Sequence, residues 1–323
     1  MTYDEKLQLF RKAASLALLA YEDLLPHTLR LLEYSENATY VVENKWGQKF
    51  VLRINRPYYH SEAEIAAEIQ WLHELHKALP FAVSQPIARL DNAFIGKVTL
   101  EGQPYYSTLF SFVKGATPHE ASTAVFEQLG EITAQFHNHS VQQHERYQHY
   151  DRLTWDEATI LGEAAKWGRW QDGRGMTASR LALYERAAAL MQQRLALYGK
   201  SPERFGLIHA DLRKANLLLE GTELKIIDFD DCGFSWFLYD FAAAISFVEH
   251  EPYIPQLQAA WLKGYERFRV LTAQDKEMLS TFVLLRRFQL IAWIGSRTNA
   301  TTERLGAAYT YASDALVMAY LNA

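Results

Sequence analysis

The chain has 323 residues, of which 49% are apolar and 22% charged, and a net charge of −5. That apolar content supports a substantial core in one large domain or two lobes, and the acidic balance excludes a general nucleic-acid binder, which would carry a basic surface. The single cysteine, Cys232, excludes an intrachain disulfide and fits a reducing, cytoplasmic setting; no run reaches the roughly eighteen apolar residues that would span a bilayer.

Residues 1 to about 32 read as helix, with polar residues between Leu7, Phe10, Ala14 and Leu18 and a break at Pro26. The period then changes. Tyr40-Val41-Val42 and Phe50 to Ile54 read as strands, and alternation places Phe50, Leu52 and Ile54 on one face, Val51 and Arg53 on the other. Ser61-Glu62-Ala63-Glu64 is a capping box that starts a helix carrying Ile65, Ile69, Leu72 and Leu79, with Glu68 on the edge of the apolar stripe. Val98 to Leu100 and Tyr105 to Phe112 bracket the turn Glu101 to Pro104. A helix is predicted from about Ala121 to His139. His137, His139, His144 and His149 lack an H-x3-H pair on a helix and have no cysteine partner, so packing rather than zinc is expected of them. The aromatic stretch 140–178 fits either packed core or part of an acceptor site. Helices are predicted over Leu181 to Leu197, from Gly233 through Phe241, and over Gln256 to Tyr265, Asp275 to Trp293 and Leu305 to Leu321. Arg286, Arg287, Arg297 and Arg304 in this C-terminal part read mostly as solvated helix charges, with a pocket for an anionic acceptor as the alternative.

The most informative stretch is Leu207 to Asp231. Leu207-Ile208 leads into His209-Ala210-Asp211, Asn216 follows five residues on, and Leu217 to Leu219 and Leu224 to Ile227 read as strands around the turn Glu220-Gly221-Thr222. Asp228-Phe229-Asp230-Asp231 closes it. Phosphoryl transfer needs groups of this kind: a carboxylate to take or orient the proton of an attacking hydroxyl, and an amide oxygen with a second carboxylate to hold magnesium on the phosphates.

The pattern H-x-D-x4-N, a hairpin, then D-F-D resembles the aminoglycoside phosphotransferase and choline kinase family, and within it the branch of type II homoserine kinases and the bacterial stress-response kinase. The resemblance implies an α+β, two-lobed protein-kinase-like fold: a small β-rich nucleotide-binding lobe over 1–112 and a larger, mainly helical lobe over 113–323. It implies Asp211 as catalytic base, His209 shaping the loop, and Asn216 and Asp228 as magnesium ligands. Arg53 stands where the family has a lysine on the α- and β-phosphates, held by Glu68. Arg213 stands where small-molecule kinases often have histidine and protein kinases lysine; a cation there would neutralise the transferring phosphoryl group. Between Leu32 and Tyr40, the backbone with Ser35, Asn37 and Thr39 would cover phosphate, although the loop has no glycine and an ordinary hairpin turn fits as well. Ser111, Phe112 and Val113 would hold adenine at the hinge, or form a plain edge strand and turn. Asp240 would brace the loop from behind. The implied cofactors are ATP and Mg2+, with a small-molecule hydroxyl as acceptor. A Ser/Thr protein kinase with a protein substrate and a non-catalytic nucleotide-binding protein are the alternatives. No nucleic-acid or membrane partner is expected.

Overall fold

The computed structural model describes residues 2–21, 24, 27–34, 36–81, 83–120, 122–163 and 165–323. The chain divides into two compact units, Met1–Gly115 with Lys225–Asp230, and Ala116–Leu224 with Asp231–Ala323.

The first unit begins with α1 (Tyr3–Leu18), capped by Thr2 and Glu5. It continues through β1 (His27–Tyr34), β2 (Ala38–Asn44), β3 (Lys49–Ile54), α2 (Glu62–Ala78), β4 (Pro86–Ile87), β5 (Ile95–Leu100) and β6 (Gln103–Ser111). The six strands form one antiparallel sheet in the order β1-β2-β3-β6-β4, with β5 also on β6. Phe10, Ala14, Ala17 and Leu18 of α1 pack on Tyr40, Val42, Leu52, Ile54 and Leu109; each large apolar side chain so buried contributes roughly 1.5–3 kcal/mol. Ser61 and Glu64 form the expected capping box of α2, which buries Ile65, Ile69, Trp71 and Leu72. The predicted opening helix ends earlier than residue 32. β1 occupies its second half, an edge strand exposed along most of its length, so its sequence carries no two-residue contrast between buried and exposed positions. Pro26, the expected break, lies outside the described residues.

The second unit contains α3 (Thr123–Gln142), α4 (His144–Tyr147), β7 (Leu153–Thr154), α5 (Glu157–Ile160), a 3-10 turn at Trp170–Asp172, α6 (Ala178–Tyr198) and β8 (Phe205–Ile208). A second 3-10 turn, Lys214–Asn216, leads to the hairpin of β9 (Leu217–Glu220) and β10 (Glu223–Ile226), whose last two residues belong to the first unit. β11 (Gly233–Trp236), α7 (Tyr239–Ala244), α8 (Ile254–Tyr265), α9 (Ala273–Ser296) and α10 (Ala300–Asn322) complete it. Residues 233–236 are therefore a strand, where the sequence predicts the start of a helix. β11 pairs antiparallel with β8 and parallel with β7, and its four residues are too few to set a strand period apart from the apolar helix that follows. The aromatics of 140–178 are largely core: Tyr147, Trp155, Trp167 and Trp170 are all buried. By length and composition α9 could cross a membrane, contrary to the expectation that no segment could, but 78% of its apolar window is buried inside the protein, which is the position of a core helix.

α3 and α8 cross where two glycines face opposite backbones. A Cβ on Gly264 would lie 1.9 Å from the Glu127 carbonyl oxygen, and one on Gly130 2.1 Å from that of Trp261. Backbone cannot yield as a side-chain end can, so Gly264→Ala should lower stability by about 1–3 kcal/mol, read as a lower urea midpoint. An unchanged midpoint would mean the helices are not packed at this distance.

Candidate active site

β8 delivers the chain into His209-Ala210-Asp211 with Ala210 at φ +64°, a left-handed backbone that a non-glycine residue adopts only when its surroundings hold it there. The holder is Asp240, fully buried at the start of α7. Its Oδ1 accepts the Ala210 N–H at 2.7 Å and its Oδ2 the His209 N–H at 3.3 Å. Oδ2 also lies 3.1 Å from His137 Nε2, while His137 Nδ1 is 2.8 Å from the Tyr265 hydroxyl. Burial pushes the His137 imidazole below its usual pKa, with Asp240 only partly opposing. The ring is neutral, with its proton on Nε2 towards Asp240 and Nδ1 accepting from Tyr265. His137 is thus the packed residue that its sequence position suggests, and His139 is buried against Tyr147.

Asp211 is surrounded by donors. Arg286 Nη2 donates to Oδ1 at 2.8 Å; Arg213 Nε and Asn216 Nδ2 donate to Oδ2 at 3.1 and 2.8 Å. Its backbone N–H donates to His209 Nδ1 at 3.2 Å. Burial raises the Asp211 carboxyl pKa, but the charges of Arg213 and Arg286 outweigh it and leave the group below its ordinary value. Asn216 spends its amide nitrogen on the Asp211 carboxylate and carbonyl, and its Oδ1 accepts nothing among the described residues. That free amide oxygen fits a divalent cation. Beside the loop lies a cavity of about 630 Å3, lined by Glu120, Phe126, Arg213, Lys214, Ser246 and Tyr253 among others.

The first unit holds a second charged cluster. Arg53 on β3 forks onto Glu68 of α2, Nη1 to Oε1 at 2.9 Å and Nη2 to Oε2 at 2.5 Å, and lies 3.3 Å from Asp230. Burial works against its charge, but Glu68, Asp230 and Asp228 hold it protonated. Its Nε is buried without a partner among the described residues. Asp230 also accepts from Asn37 at 2.7 Å and Asn55 at 3.2 Å, with His60 Nε2 3.5 Å away. The acidic run at 228–231 is therefore divided: Asp228 is exposed at φ +64°, whereas Asp230 is committed to Arg53 and two asparagines. Phe229 is anchored edge-on to Trp71, with centroids 5.4 Å apart. Asn37, expected at phosphate, has its amide occupied by Asp230 and the Arg56 N–H; Ser35 lies outside the described residues. Ser111 is tied to Gln85 through its N–H and hydroxyl. The ladder ends at Phe50–Ser111, so Phe112 and Val113 run on beyond the sheet.

Sequence reasoning missed Asn55, His60 and Asp230 as a unit, since their contacts join positions at least 170 residues apart. It also read Arg286 and Arg287 as solvated. Both are buried, and Arg287 pairs with Glu249 at 2.5 Å and with Ser313 and the Tyr309 carbonyl. The polar side of α9 faces inward, where only the tertiary structure supplies acceptors.

The sequence matches the model of the phosphotransferase enzyme family over residues 28–271. It is 24% identical over 271 residues to amicoumacin kinase of Bacillus subtilis (strain 168), covering 80% of this chain and 77% of that protein. Among solved structures, a microcompartment-associated aminopropanol kinase is 40% identical with a TM-score of 0.89, covering 97% of this chain and 98% of that one. An amicoumacin kinase in complex with AMP-PNP, Ca2+ and Ami superposes with a TM-score of 0.79 at 19% identity, covering 96% of each chain.

The neutral His137 predicts a pH dependence. Its folded pKa lies below the unfolded value near 6.5, so its contribution to stability is full above that value and is lost as pH falls, because the unfolded chain takes up a proton that the folded chain resists. Between about pH 7 and pH 5 the wild-type unfolding midpoint should drop more steeply than that of His137→Asn. Parallel slopes would show that folding does not lower the His137 pKa.

Proposed function

The chain belongs to the phosphotransferase enzyme family, and from that premise we propose that it is an ATP- and magnesium-dependent kinase that phosphorylates the hydroxyl of a small amino alcohol. The observation that carries the reading is the Asp211 carboxylate, held on a strained loop by Asp240 and bonded to Asn216. The 40% identity to an aminopropanol kinase over nearly the whole chain supports the amino-alcohol class.

In this reading Asp211 takes the proton of the acceptor hydroxyl as its oxygen bonds to the γ-phosphorus and the bond from that phosphorus to the β–γ bridging oxygen breaks, releasing ADP. Its low pKa suits a loose transition state, in which orientation matters more than basicity. Asn216 Oδ1 and the exposed Asp228 carboxylate would hold the magnesium, which neutralises charge on the phosphates. Arg53, kept in place by Glu68 and Asp230, grips phosphate oxygens in place of the family's lysine; its planar fork, fixed by two carboxylates, gives a directed charge where a lysine would give a mobile one. The backbone at 112 and 113, beyond the sheet, is assigned to adenine. Arg213 supports Asp211 and adds positive charge beside the reacting group. The divalent ion and nucleotide in the amicoumacin kinase complex accord with this cofactor set. A protein acceptor has no support among these relatives. We place the protein in the cytoplasm, a reading supported by the need for ATP.

ADP release by the wild-type protein should rise on adding aminopropanol. Asp211→Asn should lower that rate roughly 10²–10⁴-fold while retaining nucleotide binding, and Asp228→Asn should lose the divalent-dependent part of ATP affinity. Wild-type turnover in Asp211→Asn rejects the base, and ADP release stimulated only by protein substrates rejects the acceptor class.

A further inference from the structure

Two adjacent arginines of α9 are buried, and they do different things. Arg287 is satisfied by Glu249, Ser313 and the Tyr309 carbonyl, and its guanidinium lies 3.4 Å from the Tyr309 ring centroid. None of these groups touches the 209–216 loop. Arg286 instead spreads its fork over three acceptors: Nε to Ser246 Oγ at 3.0 Å, Nη1 to Gln289 Oε1 at 3.0 Å, and Nη2 to Asp211 Oδ1 at 2.8 Å. Its guanidinium carbon lies 5.3 Å from the Trp167 ring centroid, and Gln289 is held in turn by the Tyr239 hydroxyl. A buried charge fixed in three directions has almost no freedom, so the atom it donates to is fixed as well.

The two oxygens of Asp211 are not equivalent. An ionised carboxylate offers about two acceptor sites on each oxygen. Oδ2 uses both, for Arg213 and Asn216. Among the described residues Oδ1 accepts from Arg286 alone and keeps one site. We propose that Arg286 is the positioning residue of Asp211, fixing the carboxylate so that Oδ1 is the oxygen presented to the acceptor hydroxyl. The role rests on the assignment of Asp211 as base. It also gives Ser246 a purpose: this serine lines the cavity beside the loop and fixes Arg286 from that side, so the wall of the cavity and the base are joined through one side chain. Lysine cannot reproduce the arrangement, since it lacks a planar fork with three separately directed donors.

The test is steady-state kinetics with ATP, magnesium and aminopropanol on the full chain, comparing wild type with Arg286→Lys, Arg286→Gln and Arg287→Lys, alongside direct ATP binding and thermal melting. For the Arg286 variants kcat should fall about ten- to hundredfold, with KM and affinity for ATP unchanged, and Lys should recover only part of the loss. Arg287→Lys should lower the melting temperature and leave kcat unaltered. A folded Arg286→Lys or Arg286→Gln with wild-type kcat overturns the proposal. So does a loss of ATP affinity in step with kcat, which would mark a structural role. Should Arg286→Gln fail to fold, the lysine variant alone decides. A wild-type protein with no turnover on any hydroxyl acceptor overturns the functional reading and this role with it, whereas an active wild type with unaffected Arg286 variants overturns only the role.

Discussion

A fully buried aspartate, Asp240, sets the shape of the loop on which the chemistry depends. Its carboxylate takes two backbone N–H groups, from His209 and Ala210, and a neutral imidazole proton from His137. A buried carboxylate without such donors would cost several kcal/mol; with them, the same burial makes each bond stiff and directional. The left-handed backbone at Ala210 follows, and with it the exit direction of Asp211. His137 on α3, Tyr265 on α8 and the β8–β11 pairing all position this one carboxylate, so the helical unit is organised from Asp240 outwards.

Charge is arranged differently in the two units. In the first, one cation faces three acids: Arg53 with Glu68, Asp230 and, at longer range, Asp228. That excess of negative charge keeps the guanidinium in place without a ligand. In the second, one carboxylate faces two arginines at Asp211, which keeps the carboxylate ionised in a buried setting. Each of these two groups is thus held by more than one opposite charge, and each has a buried partner, Glu68 for Arg53 and Arg286 for Asp211. The replacement of the family's lysine by arginine is understandable here: Arg53 serves two carboxylates at once, a task suited to a fork.

The sequence disclosed the parts of this scheme that are local. The capping box at Ser61, the hairpin after Asn216, and the spacing of His209, Asp211 and Asn216 all act within a few residues, and a pattern in the chain reports them. Asp240 was legible through the family resemblance, and a buried aspartate's need for donors agrees with that placement. The misreadings arise where the chain gives too little pattern or depends on distant neighbours. β1 is an edge strand with little burial to pattern it, and β11 has only four residues, too few to set a strand period apart from the helix that follows. Arg286 and Arg287 read as surface charges because the acceptors that justify their burial, Asp211, Ser246 and Glu249, lie at least 38 residues away. Asp230 was grouped with Asp228 by adjacency, although the left-handed backbone at Asp228 turns the chain between them.

The proposed activity is transfer of the γ-phosphoryl group from ATP to a hydroxyl of a small amino alcohol. The most direct measurement is phosphorus NMR of the wild-type protein incubated with ATP, magnesium and aminopropanol. The account predicts a new phosphomonoester resonance, coupled to the proton of the hydroxyl-bearing carbon and growing in step with ADP. Phosphate appearing only as the free anion, on nitrogen, or on protein would contradict it.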